Sequence, residues 1–433
     1  MGELQPGGGA VTIYSFLNHV FFATFDEKAV HMASPEQYVI LSSIEQYIFS
    51  PRPGEREPPV FRESSNPRVK LLNKGTLACA AKFRSMVPGI VHMWFEDGGA
   101  GSFQGALNLG KESTINTYEG HVFYFTDVKR TVEYARFDMK RDLVLYVVRD
   151  ALSPPPQHLI DHEKREEAFS AEYLARTGRQ WRHYFGPDGP RNPPSLFMWP
   201  APEMGHRFTA VSTQGYWTCR GPSSMCQSLE PVEMKLEVIS LAPRVFLIEN
   251  FLSDFECEEI KNIAEPKMSS STVGNQDAGG AREDSTRTSR NAWVGRKASV
   301  VTDSLFGRAE HLLKIERLDN RNTEDMQVVH YKIGQKYDSH HDWGVSGYPE
   351  SRFVTLLLYL SDMEDADAGG ETSFPKGANG LGFKAHAGKG NAILFYNLLE
   401  DGNGDDLALH AALPLRKGEK WLSNFWVWDP VRR

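Results

Sequence analysis

Side chains two residues apart on an extended strand point to the same face. In the run Tyr337-Asp338-Ser339-His340-His341-Asp342, the imidazole of His340 and the carboxylate of Asp342 can therefore reach one ion, while His341 points away. A third ligand at the distant His410 would complete a facial triad of two histidines and one carboxylate. That set leaves coordination positions open and is the arrangement of non-haem iron(II) oxygenases. Taken alone, a His-x-Asp tripeptide is weak evidence and more often marks a surface turn. Lys420 supplies context, because it follows His410 within the segment HAALPLRKGEKWLSNFWVW. As a strand-end residue it would be solvated, but Trp421, Phe425 and Trp426 beside it argue for partial burial. A buried ammonium requires an anionic partner, and 2-oxoglutarate supplies one.

These side chains need a rigid frame. A strand is expected at Arg244 to Ile248, and Ser253 with Glu256 forms a capping box that starts a helix running to about Met268. A second amphipathic helix, Val301 to Ile315, places Leu305, Ala309, Leu312 and Leu313 on one face. Ser269 to Arg290, rich in Ser, Gly and charge, reads as a mobile loop between them. Short β-type runs follow at Met326 to Tyr331, Arg352 to Leu360, Asn391 to Tyr396 and Trp421 to Trp428. Helices followed by many short strands predict an α+β, mainly β fold: a C-terminal jelly roll, or double-stranded β-helix, with supporting helices.

The 433 residues exceed what one ordinary core accommodates, so more than one domain is expected. Residues 1–150 contain β-rich runs such as Gly120 to Asp127 and Asp142 to Arg149, and read as an N-terminal β-sandwich-like domain with some helix before it. Residues 151–240 read as a connecting region, partly loop, and 241–433 as the third unit. A formal net charge of -8 gives no basic footprint and argues against nucleic acid as a partner. Val11 to Phe25 is interrupted by Asn18 and His19 and reads as folded structure rather than a signal, and no run is long enough to span a membrane. A soluble, cytoplasmic protein is expected. Cys79, Cys219, Cys226 and Cys257 show no metal-type pair and read as free thiols.

The stretches Gln327 to Asp342 (QVVHYKIGQKYDSHHD), Arg352 to Asp362 (RFVTLLLYLSD), Gly369 to Pro375 (GGETSFP) and His410 to Trp426 resemble the successive catalytic motifs of prolyl 4-hydroxylases. Pro243 to Met268 and Arg287-Thr288-Ser289 are similar as well, so the resemblance runs from about 243 to 430 in the correct order. It implies iron(II) ligation by His340, Asp342 and His410. It also implies that Lys420, helped by Tyr331 and Thr372, holds the distal carboxylate of 2-oxoglutarate in a pocket lined by Trp426. Arg287, Ser289, Tyr337 and Arg352 correspond to positions that contact a proline-containing peptide. Dioxygen is the second cosubstrate, and L-ascorbate the agent that rescues oxidised iron. The chain departs from plant-type members on the peptide side: Trp428 stands where they carry a histidine, and the loop between Asp342 and Arg352 is short. Ligation alone leaves open a dioxygenase of another side chain. A non-catalytic scaffold binding proline or hydroxyproline peptides is the reading from a different class.

Residues 93–127 resemble part of the β-domain of the von Hippel-Lindau protein, a module that binds hydroxyproline peptides. Thr117 and His121 fall on positions that face the hydroxyproline hydroxyl, and Phe103 and Phe123 replace a tyrosine and a tryptophan of that family.

Overall fold

The structure, a computed structural model, describes residues 64–72, 77–141, 143–177, 181, 193–218, 227–271, 286–344, 351–363, 365 and 367–429, together with two short paired strands, Val20–Phe22 and Tyr38–Ile40. Most of the Val11 to Phe25 stretch, the Cys219 and Cys226 pair and the centre of the loop before Arg352 lie outside the described residues. Cys79 and Cys257 are buried.

Alternation along the apolar strands builds the C-terminal half. In Ser351–Tyr359, Leu356 and Leu358 enter one apolar cluster while Leu357 and Tyr359 enter another, as a period of two requires. A strand apolar on both faces must be covered on both. One face of a nine-stranded sheet is covered by helices Asp254–Ala264 and Val300–Leu313. Its other face shares a core with a five-stranded sheet, made of Tyr337–His340, His410–Ala412, Thr372–Phe374, Phe383–Ala385 and Val69–Leu71. The mainly β reading with helices on one side matches this arrangement, and the capping box at Ser253 forms as expected.

Three expectations need correction. The segment 151–240 is more than a connector: it supplies the 21-residue helix Gln157–Thr177 and the strands Arg207–Ser212 and Val232–Ser240, which extend the nine-stranded sheet. Polar alternation in these strands, with Glu233 and Lys235 exposed and Glu237 buried against Arg207, made them look like linker. Residues 1–150 are likewise not self-contained, because Val69–Leu71 pairs with Phe383–Ala385 in the five-stranded sheet. The ends of the Ser269 to Arg290 loop are ordered, since Ser269–Ser270 pairs with Arg290–Val294 and Arg287 bridges to Tyr337. Residues 272–285 lie outside the described residues.

In the N-terminal half, a sheet of Leu145–Val148, Ala78–Ser85 and Glu112–Tyr118 and a sheet of Ser102–Asn108, Ile90–Phe95, Val122–Thr126 and Glu133–Asp138 share a core that includes Phe83, Met93, Phe123 and Phe125.

An ion pair locks the two C-terminal helices together. Arg308 and Glu256 are fully buried, with Nη2 to Oε1 at 2.7 Å and Nη1 to Oε2 at 2.9 Å. Glu256 also accepts from the Ser253 and Trp217 amides. Arg308→Met leaves this carboxylate buried without its counter-charge and is expected to cost about 3–5 kcal/mol of stability. A denaturant midpoint unchanged from wild type would contradict that assignment.

Candidate active site

Strand register sets the two histidines side by side. Tyr337–His340 pairs with His410–Ala412 so that His340 lies opposite His410, with ring centroids 4.4 Å apart. His340 Nδ1 donates to the Asp338 carbonyl at 2.8 Å, and His410 Nδ1 donates to the Ala408 carbonyl at 3.0 Å. A carbonyl only accepts, so each Nδ1 carries a proton, and Nε2 is the nitrogen left to ligate a metal. Both Nε2 atoms face Asp342: Nε2 of His340 is 3.7 Å from Oδ1, and Nε2 of His410 is 3.7 Å from Oδ2. The three ligand atoms lie within 4.8 Å of one another, the one such group of three among the described residues.

Electrostatics match that donor set. Burial and the neighbouring His410 push His340 below its ordinary value, which keeps it neutral. Burial would raise the Asp342 carboxyl, but His410, His340, Arg352 and a hydrogen bond from Thr355 outweigh it and hold the group ionised. A neutral imidazole at His340 and an ionised carboxylate at Asp342 are protonation states that metal ligation needs. His341 points away as expected, its Nε2 donating to the Asp406 carbonyl at 3.1 Å.

The model of the 2OG-Fe(II) oxygenase superfamily matches residues 326–428. Prolyl 4-hydroxylase 5 of Arabidopsis thaliana is 33% identical over 213 residues, covering 45% of this chain and 71% of that protein. The chain belongs to the prolyl 4-hydroxylase family. The alpha-1 subunit of the Gallus gallus prolyl 4-hydroxylase is 34% identical over 193 residues, which span 43% of this chain and 36% of that subunit. Among solved structures, the viral collagen prolyl hydroxylase of Paramecium Bursaria Chlorella virus-1 in its 2OG complex is 31% identical, covering 42% of this chain and 95% of that one at a TM-score of 0.34.

Behind the ligands of this prolyl 4-hydroxylase relative stands a shell of buried donors. Asp342 Oδ2 accepts from Thr355 Oγ1 at 2.7 Å and from Trp426 Nε1 at 2.8 Å, and Asn397 Nδ2 donates to Thr355 at 2.9 Å. Trp426, expected in the cosubstrate pocket, thus directs its indole N–H at the carboxylate ligand. Thr355 and Asn397 were not foreseen, although a lone threonine inside the apolar run Phe353 to Leu358 was a usable signal. Thr355→Val removes one of the two hydrogen bonds that orient Asp342 and should raise the half-saturating iron(II) concentration about tenfold. An unchanged iron titration would count against an orienting role.

Lys420 is 1% exposed. Its Nζ donates to the Gly370 carbonyl at 2.6 Å and sits 5.4 Å from the Tyr331 ring and 5.6 Å from the Tyr359 ring. Thr372 Oγ1 is 2.7 Å from the Tyr359 hydroxyl. No carboxylate among the described residues forms an ion pair with Lys420, and the adjacent Glu371 is engaged by Lys384 at 2.6 Å. Burial lowers the Lys420 ammonium to about 7. A buried cation held by one carbonyl fits an anionic ligand.

The expected peptide-side residues share one wall. Tyr337 stacks on His340 at 3.7 Å, and the Arg287 guanidinium lies over the Tyr337 ring at 4.6 Å while donating to Gln327 at 2.8 Å. Arg352 stacks on Trp426 at 3.7 Å and reaches Glu324 through two hydrogen bonds of 2.6 and 2.9 Å. Trp428 is buried and also donates to Glu324, at 2.9 Å, so it acts from behind Arg352. Ser289 is buried too, its Oγ 2.9 Å from Ser271 Oγ. Glu324, the acid on which both Arg352 and Trp428 converge, had no signal in spacing or pattern.

The four N-terminal candidates do not share one face. Register pairs Phe95 with Phe123 on the core side, and Trp94 with Tyr124 on the outer side. Phe103 is exposed and packs on Trp94 at 5.3 Å, whereas Phe123 is buried. Thr117 Oγ1 lies 2.9 Å from His121 Nδ1, and His121 packs on Phe95 at 5.0 Å. The alternation along Ile90–Phe95 and Val122–Thr126 separates Phe103 from the other three.

Proposed function

We propose that this chain hydroxylates proline in a peptide or protein, with iron(II) on His340, Asp342 and His410 and the distal carboxylate of 2-oxoglutarate on Lys420. The observation that carries the reading is the pairing of a ready donor trio with a buried ammonium that makes no ion-pair contact with any carboxylate among the described residues. When bound, iron and 2-oxoglutarate supply, with dioxygen, an oxidative decarboxylation that yields succinate, carbon dioxide and the hydroxyl delivered to the substrate carbon; ascorbate restores iron oxidised in unproductive turnover.

The protein's own part is orientation and exclusion. The Asp338 and Ala408 carbonyls hold the imidazoles in the ligating tautomer, and Thr355 and Trp426 hold the Asp342 carboxylate. At the cosubstrate end the Tyr331 and Tyr359 rings flank Lys420, and Thr372 bonds the Tyr359 hydroxyl. Tyr337, Arg287 and Arg352 form the wall where a proline-containing strand would lie, Arg352 being set there by Glu324 and Trp428. Succinate release that rises on adding a proline-rich peptide tests this; turnover indifferent to the peptide would oppose it.

Lys420 gives the reading a pH signature. At about pH 8 a lysine titrating near 7 is mostly neutral, and binding a carboxylate draws a proton onto it. Binding of 2-oxoglutarate should therefore take up protons at about pH 8 and almost none at about pH 6, with affinity falling as pH rises. Calorimetric heats in buffers of different ionisation enthalpy measure this, and buffer-independent heats at the higher pH would exclude it.

The two N-terminal sheets are proposed to form a β-sandwich of the von Hippel-Lindau type, with Thr117 and His121 as the polar pair facing a hydroxyproline hydroxyl. A reader beside the writer would retain a proline-rich substrate by raising its local concentration. Matched proline and hydroxyproline peptides titrated into the full chain decide it, since equal affinity ends the reader role.

A further inference from the structure

Helix Gln157–Thr177 lies outside the residues matched by the superfamily model, yet it touches the segment that leads to the third ligand. Tyr173 on this helix is 1% exposed and donates its hydroxyl hydrogen bond to Asp401 Oδ2 at 2.5 Å. Asp401 organises a tight hairpin. Its other oxygen accepts from the Asn403 amide at 3.0 Å, the Leu399 amide donates to the Asn403 carbonyl at 2.8 Å, and Leu398 bridges to Gly404. The returning arm is tied at Asp405, whose amide donates to the Asn397 carbonyl at 2.8 Å. One short turn, Asp406–Ala408, follows, and the Ala408 carbonyl is the acceptor that fixes His410 Nδ1. Tyr173 thus grips the tip of the stitched segment whose far end sets the tautomer and rotation of a metal ligand.

The helix is held elsewhere as well. Glu166 pairs with Arg84 of strand Ala78–Ser85 at 2.5 Å, both side chains nearly buried, and Glu163 pairs with Arg149. The Tyr173 ring packs on Trp181 at 5.1 Å and on Phe169 at 6.2 Å, which fixes the direction of its hydroxyl.

We infer that Tyr173 is a positioning residue for the third iron ligand, and that helix Gln157–Thr177 is a strut running from the N-terminal sheets to the His410 segment. This rests on the assignment of His410 as a ligand. Outer partners of metal ligands are worth roughly 10- to 100-fold in metal affinity, and a partner acting through a hairpin belongs at the low end.

Tyr173→Phe keeps the ring and its packing and deletes only the hydroxyl. In the full chain it should weaken iron(II) binding about tenfold and accelerate amide exchange of residues 403–410 in metal-free protein, with kcat at saturating iron within about twofold of wild type. Asp401→Ala should reproduce both effects, and Asp401→Asn, whose oxygen still accepts from the Asn403 amide while its Nδ2 donates to the tyrosine oxygen, should largely restore iron affinity. A lower melting temperature with unchanged iron affinity and unchanged exchange would reduce Tyr173 to packing and overturn the inference. His410→Ala is measured alongside: if it too leaves iron binding unchanged, the ligand assignment itself fails.

Discussion

His340→Ala is expected to reduce peptide-dependent succinate release by about a thousandfold or more, since even the partners behind a metal ligand are worth about 10- to 100-fold. The substitution removes one of the three donors and leaves Asp342 with a single imidazole beside it. Folding should survive, because the His340 side chain is 23% exposed at the end of a short strand and its hydrogen bond goes to the backbone two residues away. His341→Ala is the internal control. That residue has the same chemistry one position along, but its Nε2 serves the Asp406 carbonyl, so it should cost far less. Equal losses at the two positions would mean that both act through folding, and the ligand assignment would be lost.

Lys420→Met removes the ammonium while nearly keeping its volume. A buried charge deprived of its partner costs about 3–5 kcal/mol, so the half-saturating 2-oxoglutarate concentration should rise roughly 10²- to 4 × 10³-fold, with iron affinity little changed. The same variant should be more stable than wild type in the absence of cosubstrate. Burial holds the folded-state Lys420 at about 7, below its ordinary value of 10.5, so the folded protein binds fewer protons between those limits. The penalty is fully present below about pH 7 and fades as pH rises toward about 10.5, so the gain in melting temperature should be largest on the acid side. Lost binding with gained stability is the mark of a charge kept for function. A variant that loses stability and retains 2-oxoglutarate affinity would make Lys420 a structural residue.

Local pattern made much of the site legible. The His340 and Asp342 spacing, the strand carrying Lys420 and the capping box at Ser253 are each written in a few adjacent residues, and each stands where the pattern put it. Thr355 was readable in principle as a polar residue within an apolar strand. Glu324 and Asn397 were not, because their importance comes from pairings across the sheet, with Arg352, Trp428 and Thr355, that no spacing encodes. The same reason explains the domain boundaries. Val69–Leu71 and Arg207–Ser212 are short and joined to their sheets only by long-range pairing, so a reading along the chain assigned them to a separate domain and a linker. Phe103, read only as standing where the resembling family has a tyrosine, is set apart from Phe123 by strand parity, which no spacing along the chain displays.

Proline hydroxylation at the His340, Asp342 and His410 centre is tested most directly by locating the added oxygen. The full chain is incubated with iron(II), 2-oxoglutarate, ascorbate and a mixed peptide library containing proline and lysine, and the products are sequenced by tandem mass spectrometry. One oxygen is expected on proline, in proportion to succinate formed and absent from the products of the His340→Ala protein. Oxygen on another side chain, or succinate without any oxidised proline, would contradict it.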